Sequence, residues 1–162
     1  VFVQVFNPPP RLIVVGAVHI TEPLARMGAL AGYGVTVIDP RRGFAESQKF
    51  DGFQVMGDWP DEAMAALKPD SRTAVVTLTH DPKLDDPALA AALRSKAFYI
   101  GALGSRKTHA ARIDRLKEAG FSEAELARIH GPVGLDIGAL SPAEIAVSIV
   151  GEITQVRRNG AA

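Results

Sequence analysis

The segment Leu12-Ile13-Val14-Val15-Gly16-Ala17-Val18-His19-Ile20 sets four consecutive aliphatic residues before a glycine and then changes periodicity. A short β-branched run without polar alternation reads as a strand covered on both faces, as in a parallel sheet. Beyond it, Ile20, Leu24, Met27 and Ala31 fall at i, i+4, i+7 and i+11, on one face of a helix. Gly32 or Gly34 is placed to end that helix.

The same alternation recurs outward from this unit. Apolar runs at 35–38, 53–56, 73–78 and 98–100 end in Asp39, Gly57-Asp58, Thr79-His80-Asp81 and Gly101. Asp86-Pro87 reads as an N-cap with proline at the first helical position, and Ser105 caps a helix that turns Ile113 and Leu116 inward. Ser122 with Glu125, and Ser141 with Glu144, match the S-x-x-E capping box, the second reinforced by Pro142. The last helix carries Ile145, Ile149, Ile153 and Val156 on one face and closes with Arg157 and Arg158 at the negative end of its dipole. Strands alternating with helices at this spacing specify an α/β protein. We expect a Rossmann-like, doubly wound, mainly parallel sheet with helices on both faces, built from residues 11–162 as one domain. Residues 1–10, stiffened by Pro8-Pro9-Pro10, read as an N-terminal arm or linker, or else as an ordinary first strand.

Composition narrows the function. With 18 Lys plus Arg against 18 Asp plus Glu, the chain has no net charge and lacks the basic footprint of a general nucleic-acid binder. It has no cysteine, which excludes disulfides, thiolate metal ligands and a cysteine nucleophile and suits a reducing compartment. No apolar run approaches the ~20 residues of a membrane span, and no signal-peptide pattern precedes the first strand. We expect a cytoplasmic domain, and the opening Val1 suggests a domain of a longer protein.

In an open parallel sheet, ligands bind beyond the carboxyl ends of the strands. The residues after each strand should therefore share one crevice: 16–19, Asp39 to Arg42, Gly57-Asp58, Thr79-His80-Asp81 and 101–106. A dinucleotide fingerprint needs G-x-G-x-x-G, and here Gly16-Ala17-Val18-His19-Ile20-Thr21 keeps only its first glycine. Val18 puts a branched side chain where a pyrophosphate would approach the backbone, so NAD(P) is a doubtful ligand. His19, near the helix N-terminus, is expected to be neutral, either facing the ligand or packed. Asp39 stands where an acid accepts from ribose hydroxyls, while Arg41 and Arg42 offer an anion partner instead. His80 and Asp81 suit proton transfer or ligand contact. No H-x-x-x-H pair supports a metal, and no catalytic residue stands out. Gly101-Ala102-Leu103-Gly104-Ser105-Arg106-Lys107 is the stronger phosphate cradle: a glycine for close approach, a hydroxyl, and a guanidinium fork at a helix start. Asp136, between Gly134 and Gly138, either reaches the crevice or satisfies donors of its own loop.

Five stretches carry a family resemblance: V-V-G-A-V-H-I, V-T-V-I-D-P-R, L-T-H-D-P-K-L-D-D-P-A-L, Y-I-G-A-L-G-S-R-K-T-H and G-L-D-I-G-A-L-S-P-A-E-I-A. In this order, from Arg11 to Ile153, they resemble the C-terminal Rossmann domain of the XdhC/CoxI family. The resemblance implies a maturation factor, rather than a catalyst, for molybdenum hydroxylases such as xanthine dehydrogenase or aerobic carbon monoxide dehydrogenase. Such proteins bind molybdenum cofactor, aid its sulfuration and deliver it to the apoenzyme, with a cysteine desulfurase as a second partner and a homodimer as a further expectation. By position, the cofactor-binding candidates are Gly16, Ala17, Val18, His19, Asp39, Arg41, Thr79, His80, Asp81, Gly104, Ser105 and Arg106. Many members read G-A-G-H where this chain has Gly16-Ala17-Val18-His19, and the family's other conserved domain, usually N-terminal, is not in this sequence. The alternatives are an NAD(P)-dependent oxidoreductase or nucleotide-binding regulatory domain, and an interaction module with a vestigial pocket.

Overall fold

The computed structural model describes residues 1–4, 7–41, 43 and 50–160. Arg42 lies outside the described residues, as do Val5 and Phe6 of the N-terminal segment. The elements in chain order are β1 (Arg11–Val15), α1 (Thr21–Leu30), β2 (Gly34–Ile38), β3 (Gln54–Met56), α2 (Pro60–Leu67), β4 (Thr73–Thr77), α3 (Pro82–Arg94), β5 (Tyr99–Ala102), α4 (Arg106–Glu118), α5 (Glu123–Leu126), β6 (Ile129–His130) and α6 (Pro142–Gly160).

The strands form one sheet in the order β3-β2-β1-β4-β5-β6, and every neighbouring pair is parallel. This is the Rossmann order, with the chain reversing direction across the sheet between β1 and β4. The non-alternating runs have the predicted cause. Leu12, Val14, Val35, Val37, Ala74 and Val76 pack on one face under α1 and α6. Ile13, Val15, Ile38, Val75 and Ile100 pack on the other, under α2, α3 and α4. Both faces are buried, so both sets of side chains must be apolar.

The structure departs from the sequence reading at several points. Helix α3 begins at Pro82, not after Asp86: the carboxylate of Asp81 caps it by accepting from the Lys83 N–H at 2.9 Å. Asp-Pro occurs twice within seven residues, and the first copy starts the helix. Pro87 then lies inside it, where its missing N–H deprives only the carbonyl of exposed Lys83, which water can reach. Ala31 is exposed at the end of α1, and Gly32 (φ +97) makes the turn. Strand β5 runs on through Gly101, and β6 leaves no signal in the sequence because two residues carry no periodicity. The Ser122–Glu125 capping box is present in full. At α6 the Ser141 hydroxyl accepts from the Glu144 N–H, whereas the Glu144 carboxylate accepts from Leu140 rather than from Ser141.

Before β1, residues 1–4 and 7–10 form no strand. The carbonyls of Pro8 and Pro10 accept from the Arg72 guanidinium and the Gly34 N–H, at 2.9 and 2.8 Å.

Candidate functional site

The site is assembled at the carboxyl edge, around the point where β1 and β4 diverge. Gly16 ends β1 with φ +111, and a Cβ there would lie 2.6 Å from the Thr79 methyl. Only glycine lets the loops after β1 and β4 close on each other here. The β1 loop is then tied down by side chains. Asp39 Oδ2 accepts from the Ala17 N–H at 2.8 Å, Thr21 Oγ1 accepts from the Val18 N–H at 3.0 Å, and the Thr21 hydroxyl donates to the Gly16 carbonyl. Val18 is half-buried and packs on the core; His19 is exposed, just ahead of the helix rather than within its first turn.

Asp39 is buried at the end of β2. Besides Ala17, it accepts from Arg41: backbone N–H at 2.9 Å, Nε at 3.0 Å and Nη2 at 2.7 Å. Burial alone would raise the carboxyl's pKa, but the Arg41 guanidinium and these backbone N–H groups hold it below the usual carboxylate range. A group with a depressed folded-state pKa contributes stability above its unfolded value, and that stability is lost as the pH falls through the folded value. Asp39→Asn should therefore flatten part of the stability loss that wild type shows on acidification below about pH 4, as read from denaturation midpoints across pH. An unchanged acid limb would show that the pair carries no net linkage.

The loop after β4 is organised by a buried acid that sequence reasoning does not single out. Asp85, in the first turn of α3, accepts from the Thr79 hydroxyl at 2.6 Å and from the N–H groups of Thr79 and His80 at 3.3 and 3.2 Å. Burial pushes its pKa up, with the Thr79 hydrogen bonds opposing. These bonds hold His80 in the left-handed region, φ +63, with its side chain exposed. The Arg41 guanidinium feels Asp81 and Asp85 as well as Asp39. Gly16, Ala17, Val18, Asp39, Arg41, Thr79, His80 and Asp81 thus gather around the switch point.

Gly104, Ser105 and Arg106 stand one strand away, beyond β5. Gly104 has φ +139, and a Cβ there would press on Thr108 at 2.9 Å. The Ser105 hydroxyl is the N-cap of α4, accepting from the Thr108 N–H at 3.1 Å. Arg106 is exposed, with no hydrogen bond or ion pair among the described residues. Buried Arg112 fixes this turn from below, donating Nη2 to the Leu103 carbonyl at 2.8 Å. Sequence reasoning passes over it because a charged residue on a polar helix reads as solvated. Asp136 is exposed; the Gly134 N–H of its loop goes to Glu152 instead, at 3.2 Å.

Comparison with known proteins now decides the family. The XdhC Rossmann domain family matches residues 12–153. The chain belongs to this family. The XdhC-type domain is 34% identical over 152 residues, 94% of its length, to the molybdenum cofactor insertion chaperone PaoD of Escherichia coli. It is 34% identical over 158 residues to a protein of Bacillus subtilis named as a probable xanthine dehydrogenase component, and 32% identical over 163 residues to the uncharacterized E. coli protein YqeB. A crystal structure described as a xanthine dehydrogenase from Bacillus halodurans superposes with a TM-score of 0.80 at 30% identity, over 94% of this chain and 44% of that one. The chain spans 42% of PaoD, 46% of the B. subtilis protein and 29% of YqeB. No helix among the described residues is long and apolar enough to cross a membrane.

The β1 turn also bears on dinucleotides. Two N–H groups that a pyrophosphate would use, those of Ala17 and Val18, are already bonded to Asp39 and Thr21, and the Asp39 carboxylate is held by Arg41. Wild type is expected to show no tight, saturable NAD(P) binding in a nicotinamide fluorescence titration, and Val18→Gly to bind more tightly. Tight binding by wild type would overturn this.

Proposed function

We propose that this domain is the cofactor-holding part of a maturation factor for molybdenum hydroxylases of the xanthine dehydrogenase or carbon monoxide dehydrogenase type. The observation that carries the proposal is the 34% identity, along 94% of the chain, to a protein named a molybdenum cofactor insertion chaperone. The cofactor is cargo here. The chain has no cysteine to bind molybdenum through sulfur, so its hold falls on the organic part, whose phosphate suits oriented N–H groups and a guanidinium.

Gly104, Ser105 and Arg106 form that hold. The left-handed glycine lets an anion approach the backbone, the N-terminus of α4 favours negative charge, and Arg106 is an uncommitted fork. Gly16 to His19, Asp39, Arg41 and Thr79 to Asp81 shape the neighbouring crevice. The apoenzyme is the receiving partner. A cysteine desulfurase supplying sulfur, a homodimeric assembly and a cytoplasmic setting complete the proposal.

The test is to purify the protein from cells making molybdenum cofactor and assay it for pterin and molybdenum. Retained cofactor, released to a molybdenum hydroxylase apoenzyme with gain of its activity, supports the proposal. Co-purification with the apoenzyme and no cofactor retention would favour a pure interaction module.

A further inference from the structure

A cleft of about 280 Å³, which the proposed cradle does not use, lies between the start of α3 and the side of α4. It is lined by His80 and Asp85 and by Lys107, Thr108, Arg112 and Arg115. Thr108, Arg112 and Arg115 follow at helical spacing and so share a face of α4, and Lys107 adds a third cation. Arg112 is 2% exposed. Its Nη2 holds the Leu103 carbonyl and its Nη1 lies 3.5 Å from His109 Nδ1, but its buried Nε has no hydrogen-bond partner among the described residues. A charged N–H withdrawn from water without a replacement acceptor is costly, and native structures rarely keep one without reason.

The nearby acids do not discharge the cleft. Asp86 is engaged by Arg115 at 2.7 Å. Asp85 accepts from Thr79 and His80, and makes no hydrogen bond to Arg112 among the described residues. Lys107 is exposed and without an ion pair among the described residues. The thirteen-residue helix α4 adds the positive end of its dipole near Lys107 and Thr108. The cavity, far larger than the ~30 Å³ share of one water, is thus left with unpaired donors and a surplus of positive charge.

We propose that this cleft is an oxyanion site, taking phosphate or the phosphate-monoester end of a larger molecule, with Arg112 and Lys107 as its cationic walls and His80 as a further donor. None of Gly104, Ser105 and Arg106 lines it. It therefore stands apart from the cofactor cradle and does not rest on the maturation reading.

The experiment titrates inorganic phosphate and phenyl phosphate into wild type, Lys107→Ala, Lys107→Glu and Arg112→Met by calorimetry, with thermal denaturation alongside. Wild type should bind phosphate saturably, and more weakly as salt rises. Lys107→Ala should weaken binding about threefold, and Lys107→Glu should weaken it further. Arg112→Met should weaken it about ten- to a hundredfold. Arg112 is buried and its variant risks misfolding, whereas Lys107 is exposed and its variants should melt like wild type. Tighter binding of phenyl phosphate than of phosphate identifies an ester as the natural occupant; equal or weaker binding identifies the free ion. No saturable phosphate binding by wild type, or equal affinity in wild type and Lys107→Glu, overturns the site.

Discussion

Truncating Ile149 or Ile153 to Ala should cost about 2–5 kcal/mol of folding stability, the range for removing a large aliphatic side chain from a packed core. Both lie on the inner face of α6, 0% and 2% exposed, in the cluster that includes Leu12, Val14, Ala74 and Val76 of the central strands. A cavity there could not collapse easily, since the sheet on one side and α1 on the other are themselves fixed. Ile145 is only half-buried at the first turn of α6, so its truncation should cost less. Denaturant titration of the three variants gives the ranking. A loss well below 1 kcal/mol at both Ile149 and Ile153 would mean that α6 is not part of the core, and would leave its inner face open to a partner.

Arg106→Ala should weaken the binding of molybdenum cofactor about ten- to a hundredfold, the worth of a charged hydrogen bond to phosphate, with thermal stability unchanged. The second half of that expectation comes from the structure: Arg106 is exposed and bonds to nothing among the described residues, so its removal leaves the fold as it was. Arg106→Lys should recover only part of the affinity, because a point charge cannot reproduce the bidentate fork. Ser105 is a less clean probe. Its hydroxyl caps α4, and Ser105→Ala should cost about 1 kcal/mol through the helix start alone. Affinity and melting temperature measured side by side for wild type and the Arg106 variants make the test. If Arg106→Ala binds cofactor as tightly as wild type, the phosphate is held elsewhere along the crevice.

Legibility of the site follows the range of the interactions involved. Ser105 and Ser122 are recognisable as caps because a cap is a contact over three residues, all of it visible in a short string. Asp81 is recognisable as a residue at the edge of the crevice, but the sequence pattern gives its role as N-cap of α3 to Asp86, since both precede a proline. Asp85 and Arg112 are not legible at all. Each sits on a helix among charged neighbours, and only packing against Thr79 and Leu103 distinguishes them from solvated residues.

The amino-acid sequence by itself determined the parallel doubly wound sheet, because β-branched runs without alternation are stable only when both faces are covered. It also determined that functional groups collect at one edge, since every polar, glycine-rich stretch follows a strand. The tertiary structure alone decided which of those groups are free to act. Asp39 and Arg41 look like ligand contacts in the chain order, yet in the folded protein they bond to each other and Asp39 anchors the Ala17 N–H. Arg112 looks like surface charge, yet it is buried with an N–H left unpaired beside a cleft. A hydrogen bond between residues 22 apart, or a helix face pressed on a loop from another strand, leaves no periodic trace. Commitment of a polar group depends on such partners, and they are chosen only when the chain closes.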